Sequence, residues 1–127
     1  MSQGFRPESG LIFIEAEISG PRGQAGARLI LDTGASSSML HPDVLRSAGY
    51  EPDASTELAR ITTGSGAATA PRLVVTRLTA LGRHAIGLRL VAHDLPREAN
   101  ADGLLGLDFF RGLALTIDFR AGRITLA

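Results

Sequence analysis

The sequence has no cysteine, no tryptophan and no lysine, and these absences exclude several classes of protein. Without cysteine there is neither a disulfide framework nor a thiolate-based zinc or iron site. Without lysine, the stretch Gly64-Ser65-Gly66 cannot belong to a phosphate-binding loop of the kind that ends in Lys-Ser or Lys-Thr. No apolar run approaches the roughly 18 residues that a membrane-spanning helix requires.

The chain also has no excess of positive or negative charge. All 13 basic residues are arginine, and 13 Asp and Glu balance them, so the formal net charge is zero. A balanced chain has no bulk field to attract nucleic acid or an anionic membrane, and aromatic residues for base stacking make up only 5%. We therefore expect neither nucleic acid nor membrane as a partner.

The first residues, Met1–Gly10, are polar and lack the basic-then-apolar build of a signal peptide. The expected compartment is therefore the cytoplasm. A second possibility stays open, in which the chain is a domain cut from a larger regulatory or membrane-anchored protein.

Glycine is abundant, with 15 residues, and six prolines add further breaks, which disfavours a helical bundle and favours short strands joined by tight turns. Apolar and polar residues alternate over Leu11–Ser19, as in a half-buried strand. The predicted fold class is one mainly-β domain over residues 1–127. Its other predicted strands are Ala27–Leu31, Leu58–Thr63, Pro71–Leu81, Ala85–Ala92, Leu113–Phe119 and Arg123–Leu126, and its short helices are Pro42–Ala48 and Leu107–Arg111.

The most informative segment is Leu29–Ser36, in which an apolar strand runs directly into Asp32-Thr33-Gly34 and then Ala35. An Asp at the end of a strand often only forms a hydrogen-bonded turn. The triplet by itself is a weak signal because short motifs recur by chance, but the flanking residues make it much more specific.

A second segment comes later in the chain, where Leu104-Leu105-Gly106 precedes the predicted helix at Leu107. With the two segments in this order, the sequence resembles the retropepsin-like aspartic proteases, which include the single-domain retroviral enzymes and the protease domain of the DNA-damage-inducible ubiquitin-shuttle proteins. The resemblance runs from the strand at Leu11 to the last strand, Arg123–Leu126. It implies a closed β-barrel or sandwich with one or two short helices, a Gly-rich flap hairpin and a homodimer.

The resemblance also implies an aspartic endopeptidase, with Asp32, Thr33 and Gly34 as the catalytic segment and no cofactor or metal. In such enzymes two carboxylates hold the attacking water between them. This chain has one Asp-Thr-Gly and is less than half the length of a two-lobed enzyme, so the second Asp32 is expected from another copy. A polypeptide substrate would contact Ala35, the flap residues Thr63, Gly64, Ser65 and Gly66, and the apolar step Leu104, Leu105 and Gly106.

One detail departs from the retroviral pattern. Leu107 stands where those enzymes carry an arginine, as in the ubiquitin-shuttle relatives, and Arg111 is a possible substitute at the dimer interface. Pepsin-like flaps carry a tyrosine, whereas the only tyrosine here, Tyr50, lies outside the flap hairpin; the retroviral enzymes also lack a flap tyrosine. By resemblance, the interface would use parts of Leu113–Leu126 and residues before Leu11.

Other hypotheses remain. The chain could be a peptide-binding or dimerisation module with this fold and little or no turnover, because both motifs also shape the fold. The three histidines are expected in surface or loop positions without a metal, and Arg72, Arg77, Arg83 and Arg89 are expected on a solvated face of the sheet. The histidines are His41, His84 and His93.

Overall fold

The structure, a computed structural model, describes residues 1–63 and 65–127. Over these residues the chain is mainly β, as predicted. The strands are β1 (Ser2–Gly4), β2 (Phe13–Gly20), β3 (Gly23–Leu31), β4 (Met39–Leu40), β5 (Leu58–Thr63), β6 (Gly66–Ala80), β7 (Arg83–Ala92), β8 (Gly103–Leu105), β9 (Leu115–Asp118) and β10 (Arg123–Leu126). The helices are α1 (Pro42–Ser47) and α2 (Leu107–Phe110), with 3-10 turns at Pro52–Ala54 and Arg97–Ala99.

Six strands form a closed barrel, in the order β2-β3-β8-β4-β7-β6, and a further pairing between β2 and β6 closes it. Strand β5 pairs with the outer part of β6 and extends the β6 arm away from the barrel as a hairpin. A separate three-stranded sheet has the order β1-β10-β9. Closure removes the free edges that an open sheet would present.

The β2–β3 hairpin follows the alternation in the sequence. Ile14 and Ile18 are fully buried while Glu15 and Glu17 face solvent, and Ile14 lies opposite Leu29 in the ladder. Strand β3 begins four residues before its predicted start. The ladder continues through small residues to a Gly20–Gly23 pair at the turn, where Gly23 has a φ of +118° that favours glycine.

Strand β6 is also longer than predicted, because it begins at Gly66 rather than at Pro71. It pairs first with β5, then with β7, and finally also with β2. Tyr50 stabilises the point at which β6 begins to pair with β2. Its hydroxyl accepts a hydrogen bond from the backbone N–H of Thr76 at 2.8 Å and donates one to the carbonyl of Ser19. Thr76 directly precedes Arg77, which pairs with Ser19 across β2 and β6.

Three short strands were not predicted, namely β1, β4 and β8, and the last of these covers the segment predicted only as an apolar step. Strand β4 has only two residues, too few for a periodic pattern, yet it pairs with both β7 and β8. Strand β1 lies in the polar N-terminal segment and pairs with β10, which also pairs with β9. Among the described residues, β10 thus has a neighbour on each side within one chain, and the outer edges of this sheet belong to β1 and β9.

Helix α1 matches its prediction. It has Pro42 at its first position, the ring of His41 accepts the N–H of Asp43 at its start, and Gly49 follows its end with a φ of +98°. None of the helices in residues 1–63 and 65–127 is long and apolar enough to cross a membrane.

Candidate active site

Asp32 is the first residue after β3, at the rim of the barrel. Its backbone N–H donates to the carbonyl of Leu105 in β8 at 3.0 Å, and its own carbonyl accepts the N–H of Ala35 at 3.2 Å. The N–H of Gly34 donates to Asp32 Oδ1 at 2.9 Å. The side chain is half-buried, so its carboxylate is oriented by the turn while it stays accessible.

Glycine at position 34 is not required by the backbone conformation, because Gly34 does not have a positive φ. A Cβ there would lie 3.2 Å from Asp32 Oδ1, which is tighter than most Cβ contacts in proteins. Glycine at this position therefore leaves room for the carboxylate.

Strand β8 lies between the two ends of the Asp32 loop. On one side it pairs in parallel with β3, with Leu31 opposite Leu105, and on the other it pairs with β4, with Met39 opposite Leu104. A Cβ at Gly103 would collide with the carbonyl oxygen of Met39, so this close passage requires glycine. The loop is thus a U-shaped segment whose two arms are held by one short strand.

Ser38 and Asp108 fasten the inner side of this loop to α2, although they were not among the predicted site residues. Ser38 is 1% exposed. Its hydroxyl donates to Asp108 Oδ1 at 2.7 Å and accepts the N–H of Gly106 at 3.0 Å. The N–H of Ser38 also donates to the Asp108 carboxylate at 2.9 Å. The sequence signal for this pair was an acidic residue in the first turn of a helix that follows the apolar-apolar-Gly step.

Further contacts bring Gly106 against the Asp32 loop. The N–H of Leu107 donates to the carbonyl of Ala35 at 2.8 Å, and a Cβ on Gly106 would lie 2.7 Å from that same oxygen. Leu105 is fully buried and Gly106 is buried beside it. The structure therefore places Leu105 and Gly106 behind the loop, away from the surface where we predicted them to contact substrate.

A cavity of about 390 Å³ opens in front of Asp32. The predicted site residues Asp32, Gly34, Ala35 and Leu104 line it, whereas Thr33 is exposed beside it. Its roof is formed by residues 60–62 of β5. Among the described residues that line it, Asp32 carries the only carboxylate.

A second cavity, of about 640 Å³, shares four lining residues with the first and continues it under the β5–β6 hairpin. We call the two together the flap groove. The shared residues are Met39, Ile61, Thr62 and Leu104. Of the predicted flap residues, Ser65 lines the second cavity, Gly64 lies outside the described residues, and the side chain of Thr63 is likewise outside them.

The arginines of β6 and β7 do not share one solvated face, which corrects that prediction. Arg72 is half-buried and lines the cavity with Asp32. Arg77 and Arg83 are also half-buried, and the Arg83 guanidinium lies 5.6 Å from the ring centre of Phe109. Arg89 is exposed and pairs with Glu57. Arg72 and Arg77 are five residues apart in β6 and have different neighbours, because Arg72 lies beside the Asp32 cavity and Arg77 lies beside Ser19 of β2.

The histidines lie apart, as expected for surface and loop positions. His41 caps α1, the ring of His84 hydrogen-bonds with Thr79, and His93 lines the second cavity. In residues 1–63 and 65–127, no three His, Asp or Glu side chains come together in a group that could hold a metal ion.

The site thus consists of an Asp-Thr-Gly turn at the rim of a closed six-stranded barrel, with a hairpin above it. The chain matches the crystal structure of a retropepsin-like aspartic protease from Rickettsia conorii, with a TM-score of 0.72 over 100% of this chain and 91% of that one. Sequence identity is 16%, so the match shows the shared fold. It confirms the retropepsin-like barrel predicted from the sequence.

A family model for aspartyl proteases matches residues 14–109, which contain both the Asp32 turn and the Leu104-Leu105-Gly106 step. The chain belongs to the aspartyl protease family. A comparison with curated protein sequences found no match.

Proposed function

We propose that the protein is a homodimeric aspartic endopeptidase whose active site contains Asp32 from each of two subunits. The observation that carries this proposal is the position of Asp32, accessible in a loop held by β8 and facing the flap groove. The same cavity supports the dimer, because the described residues that line it include only one carboxylate from one chain.

Two carboxylates are needed because the reaction requires a base and an acid at the same water. Side by side at about 3 Å they cannot both ionise, so they share one proton. The ionised group accepts a proton from water as the oxygen attacks the scissile carbonyl carbon, and the protonated group donates its proton to the carbonyl oxygen. The group that took up the water proton then donates it to the amide nitrogen as the C–N bond breaks, while the other carboxylate takes a proton from a hydroxyl of the tetrahedral intermediate. This releases a carboxylic acid and an amine and restores the starting dyad.

The surface around Asp32 suits contact with a second copy. Thr33 is exposed next to the carboxylate, and by resemblance its hydroxyl would bond to the partner's loop. Leu107, whose N–H binds the same loop, leaves 45% of its surface exposed. Strand β10 is already paired on both sides, so a terminal sheet shared between subunits would use the edges of β1 or β9, or exchange the β1–β10 pairing.

The first test is Asp32→Asn, measured on an unbiased peptide library from acidic to neutral pH. We expect cleavage to fall by at least about 10³-fold while the melting temperature stays close to wild type, because the amide keeps the shape and loses the proton chemistry. Asp43→Asn is the matched control, since Asp43 is exposed on α1 away from the groove. Cleavage by Asp32→Asn at the wild-type rate would disprove the proposal.

A mixing experiment tests the shared site. Wild-type and Asp32→Asn chains are refolded together in equal amounts, so that random pairing puts half of the wild-type subunits into inactive mixed dimers. Activity should drop to about half of that of the same amount of wild-type protein refolded alone. If one chain were sufficient, the added variant would leave the activity unchanged.

A second candidate function is peptide binding without turnover. It is favoured by the larger cavity of the flap groove, which one chain builds without Asp32 among its described lining residues. The two candidates differ in one measurement. A binding module would hold library peptides equally well as wild type and as Asp32→Asn, and the wild-type protein would release them uncut at every pH.

A further inference from the structure

We propose, building on the proposed function, that Asp102 is a positioning residue for the reaction. Its carboxylate fixes the start of β8 against β3 and thereby sets the position of the Asp32 loop. Asp102 directly precedes β8, the three-residue strand that holds both arms of that loop. It was not among the predicted site residues, and the described lining of the cavity in front of Asp32 does not include it. It therefore acts through backbone contacts rather than by touching a substrate.

Asp102 and Arg28 are joined by a reciprocal pair of hydrogen bonds. The N–H of Arg28 donates to Asp102 Oδ2 at 2.8 Å, and the N–H of Asp102 donates to the carbonyl of Arg28 at 2.7 Å. Both backbone hydrogen-bonding groups of Arg28 thus bind the same residue. The carboxylate takes the place of the backbone carbonyl that a longer β8 would offer, and a hydrogen bond to a carboxylate is stronger than one to a neutral acceptor.

The backbone carbonyl of Asp102 provides a third contact, on the other side of β8. It accepts the N–H of His41 at 2.7 Å, and His41 directly follows β4. One residue therefore ties the beginning of β8 to β3 on one side and to the end of β4 on the other. These are the two strands between which the Asp32 loop runs, so Asp102 fixes the frame of the loop at the end away from the groove.

Strand β8 is so short that anchors at its ends decide its register. It pairs with β3 through three residue pairs and with β4 through two. A slip by one residue would exchange the fully buried Leu105 with Leu104, which lines the groove. Asp108 fixes the far end through Ser38, and Asp102 fixes the near end. The strand thus has a carboxylate anchor at each end.

The last residue of β8 passes this placement on to Asp32. The carbonyl of Leu105 accepts the N–H of Asp32 at 3.0 Å, so a shift of β8 along β3 moves or breaks that bond. A misplacement of a reacting group by about 1 Å can slow a reaction by about a hundredfold. Loss of the Asp102 anchor should therefore lower the rate of the chemical step more than it weakens substrate binding.

The side chain of Arg28 is not the partner of Asp102. Its guanidinium lies 3.8 Å from the ring centre of Phe13, and Asp102 forms no ion pair with any residue in the described part of the chain. The interaction thus depends on an acceptor oxygen at position 102 and not on attraction between opposite charges. Asp102→Asn keeps such an oxygen, whereas Asp102→Ala removes it.

The test compares these two variants by steady-state kinetics and by native-state hydrogen exchange. Asp102→Ala should lower kcat by about tenfold and change KM by less than about twofold, because the groove keeps its lining. Exchange at the Asp32 amide should become about tenfold faster, beyond any change at the amides of β2, which lies between β3 and β6 and reports global unfolding. Asp102→Asn should stay within about twofold of wild type in both measurements, since its side-chain oxygen accepts the Arg28 N–H.

The matched control is Asp53→Ala. It removes an exposed carboxylate and its hydrogen bond to Arg46 at a position that lines neither cavity of the groove, so kcat and exchange at the Asp32 amide should not change. The inference is overturned if folded Asp102→Ala keeps the wild-type kcat or the wild-type exchange rate at Asp32. It is also overturned if Asp102→Asn is as impaired as Asp102→Ala.

Failure of this inference can be told apart from failure of the proposed function, because hydrogen exchange needs no substrate. If wild type cuts nothing but Asp102→Ala loses protection at the Asp32 amide while Asp102→Asn keeps it, the function is wrong and Asp102 still positions the loop. Unchanged protection in Asp102→Ala rejects the positioning role, whether or not wild type cleaves. If Asp102→Ala does not fold, Asp102→Asn decides: loss of protection at Asp32 in that variant overturns the inference, and wild-type protection supports it.

Discussion

The floor and the roof of the flap groove are built in different ways. The floor is the Asp32 loop, with strand pairing to β8 at both arms and the buried Ser38–Asp108 link behind it. The roof is the β5–β6 hairpin, in which β5 pairs with β6 alone among the described strands. A small apolar cluster of Ala59, Ala70 and Val91 joins the roof to the barrel.

The difference follows the two tasks that the groove would have. Acid–base chemistry needs a carboxylate held in one position, because small displacements of a reacting group are costly. A roof over a peptide must admit and release a chain, and a hairpin held by one ladder and a small cluster opposes such motion less. Substitutions in the floor should therefore cost stability, and substitutions in the roof should change peptide affinity.

The largest loss of stability is expected for Gly103→Ala. The added Cβ would collide with the Met39 carbonyl, and both are backbone groups that cannot rotate away. Separation of β8 from β4 should lower the free energy of unfolding by about 3 kcal/mol. Urea denaturation measures this free energy of unfolding. Gly26→Ala is the control, because a Cβ at Gly26 would meet no atom within 4 Å. Equal midpoints for the two variants would refute the close-passage argument.

Ser38→Ala should have the next largest effect. It leaves Gly106 N–H without its acceptor and removes one donor from the Asp108 carboxylate, in a buried position. We expect a loss of about 2 kcal/mol and a lower kcat from the displaced Asp32 loop. Ser36→Ala, at an exposed position in the same loop, serves as the control. A stable Ser38→Ala protein with unchanged kcat would show that the link does not hold the loop.

Tyr50→Phe tests the joint between the barrel and the long strand that carries the roof. The change removes a hydroxyl that satisfies Thr76 N–H and Ser19 carbonyl, while the ring stays in place. We expect about 1 kcal/mol of destabilisation. Hydrogen exchange should be faster at Thr76 and Arg77, and protection equal to wild type at both amides would contradict this role.

The smallest change in stability is expected in the roof itself. Thr62 is exposed and lines both cavities, so Thr62→Ala should shift the free energy of unfolding by less than about 0.5 kcal/mol. The effect should instead be seen in KM, with kcat nearly unchanged. Thermal melts and steady-state kinetics on one peptide are measured for Thr62→Ala and for Ser38→Ala. A larger loss of stability for Thr62→Ala than for Ser38→Ala would contradict the proposed difference between roof and floor.

The sequence predicted those parts of the fold that depend on local patterns. Alternation located β2, and proline and glycine located α1, because each is a property of consecutive residues. The two-residue strand β4 has no such pattern, since its existence depends on the neighbours β7 and β8. The prediction for β3 began too late because Gln24 and Gly26 are weak strand formers that pair only because β2 lies opposite.

The same distinction applies to the site. Asp32 and Gly34 are separated only by Thr33 in the sequence and could be recognised together. The Ser38–Asp108 hydrogen bond joins residues 70 positions apart, and an acidic residue in the first turn of a helix does not by itself identify its partner. Arg72 was expected in solvent because the groove that it lines is formed by β5 and the Asp32 loop, which are distant from each other in the sequence.

The position of β8 between β3 and β4 also bears on the order of folding. Residues 103–105 emerge from the ribosome long after the Asp32 loop that they hold, so a nascent chain has the Asp-Thr-Gly segment well before its frame. The hairpin of β2 and β3 can form early from local contacts, whereas the loop becomes ordered only when β8 inserts. Under the proposed function, the active site would therefore be incomplete until β8 has left the ribosome, and this delay is inherent in the strand order of the barrel.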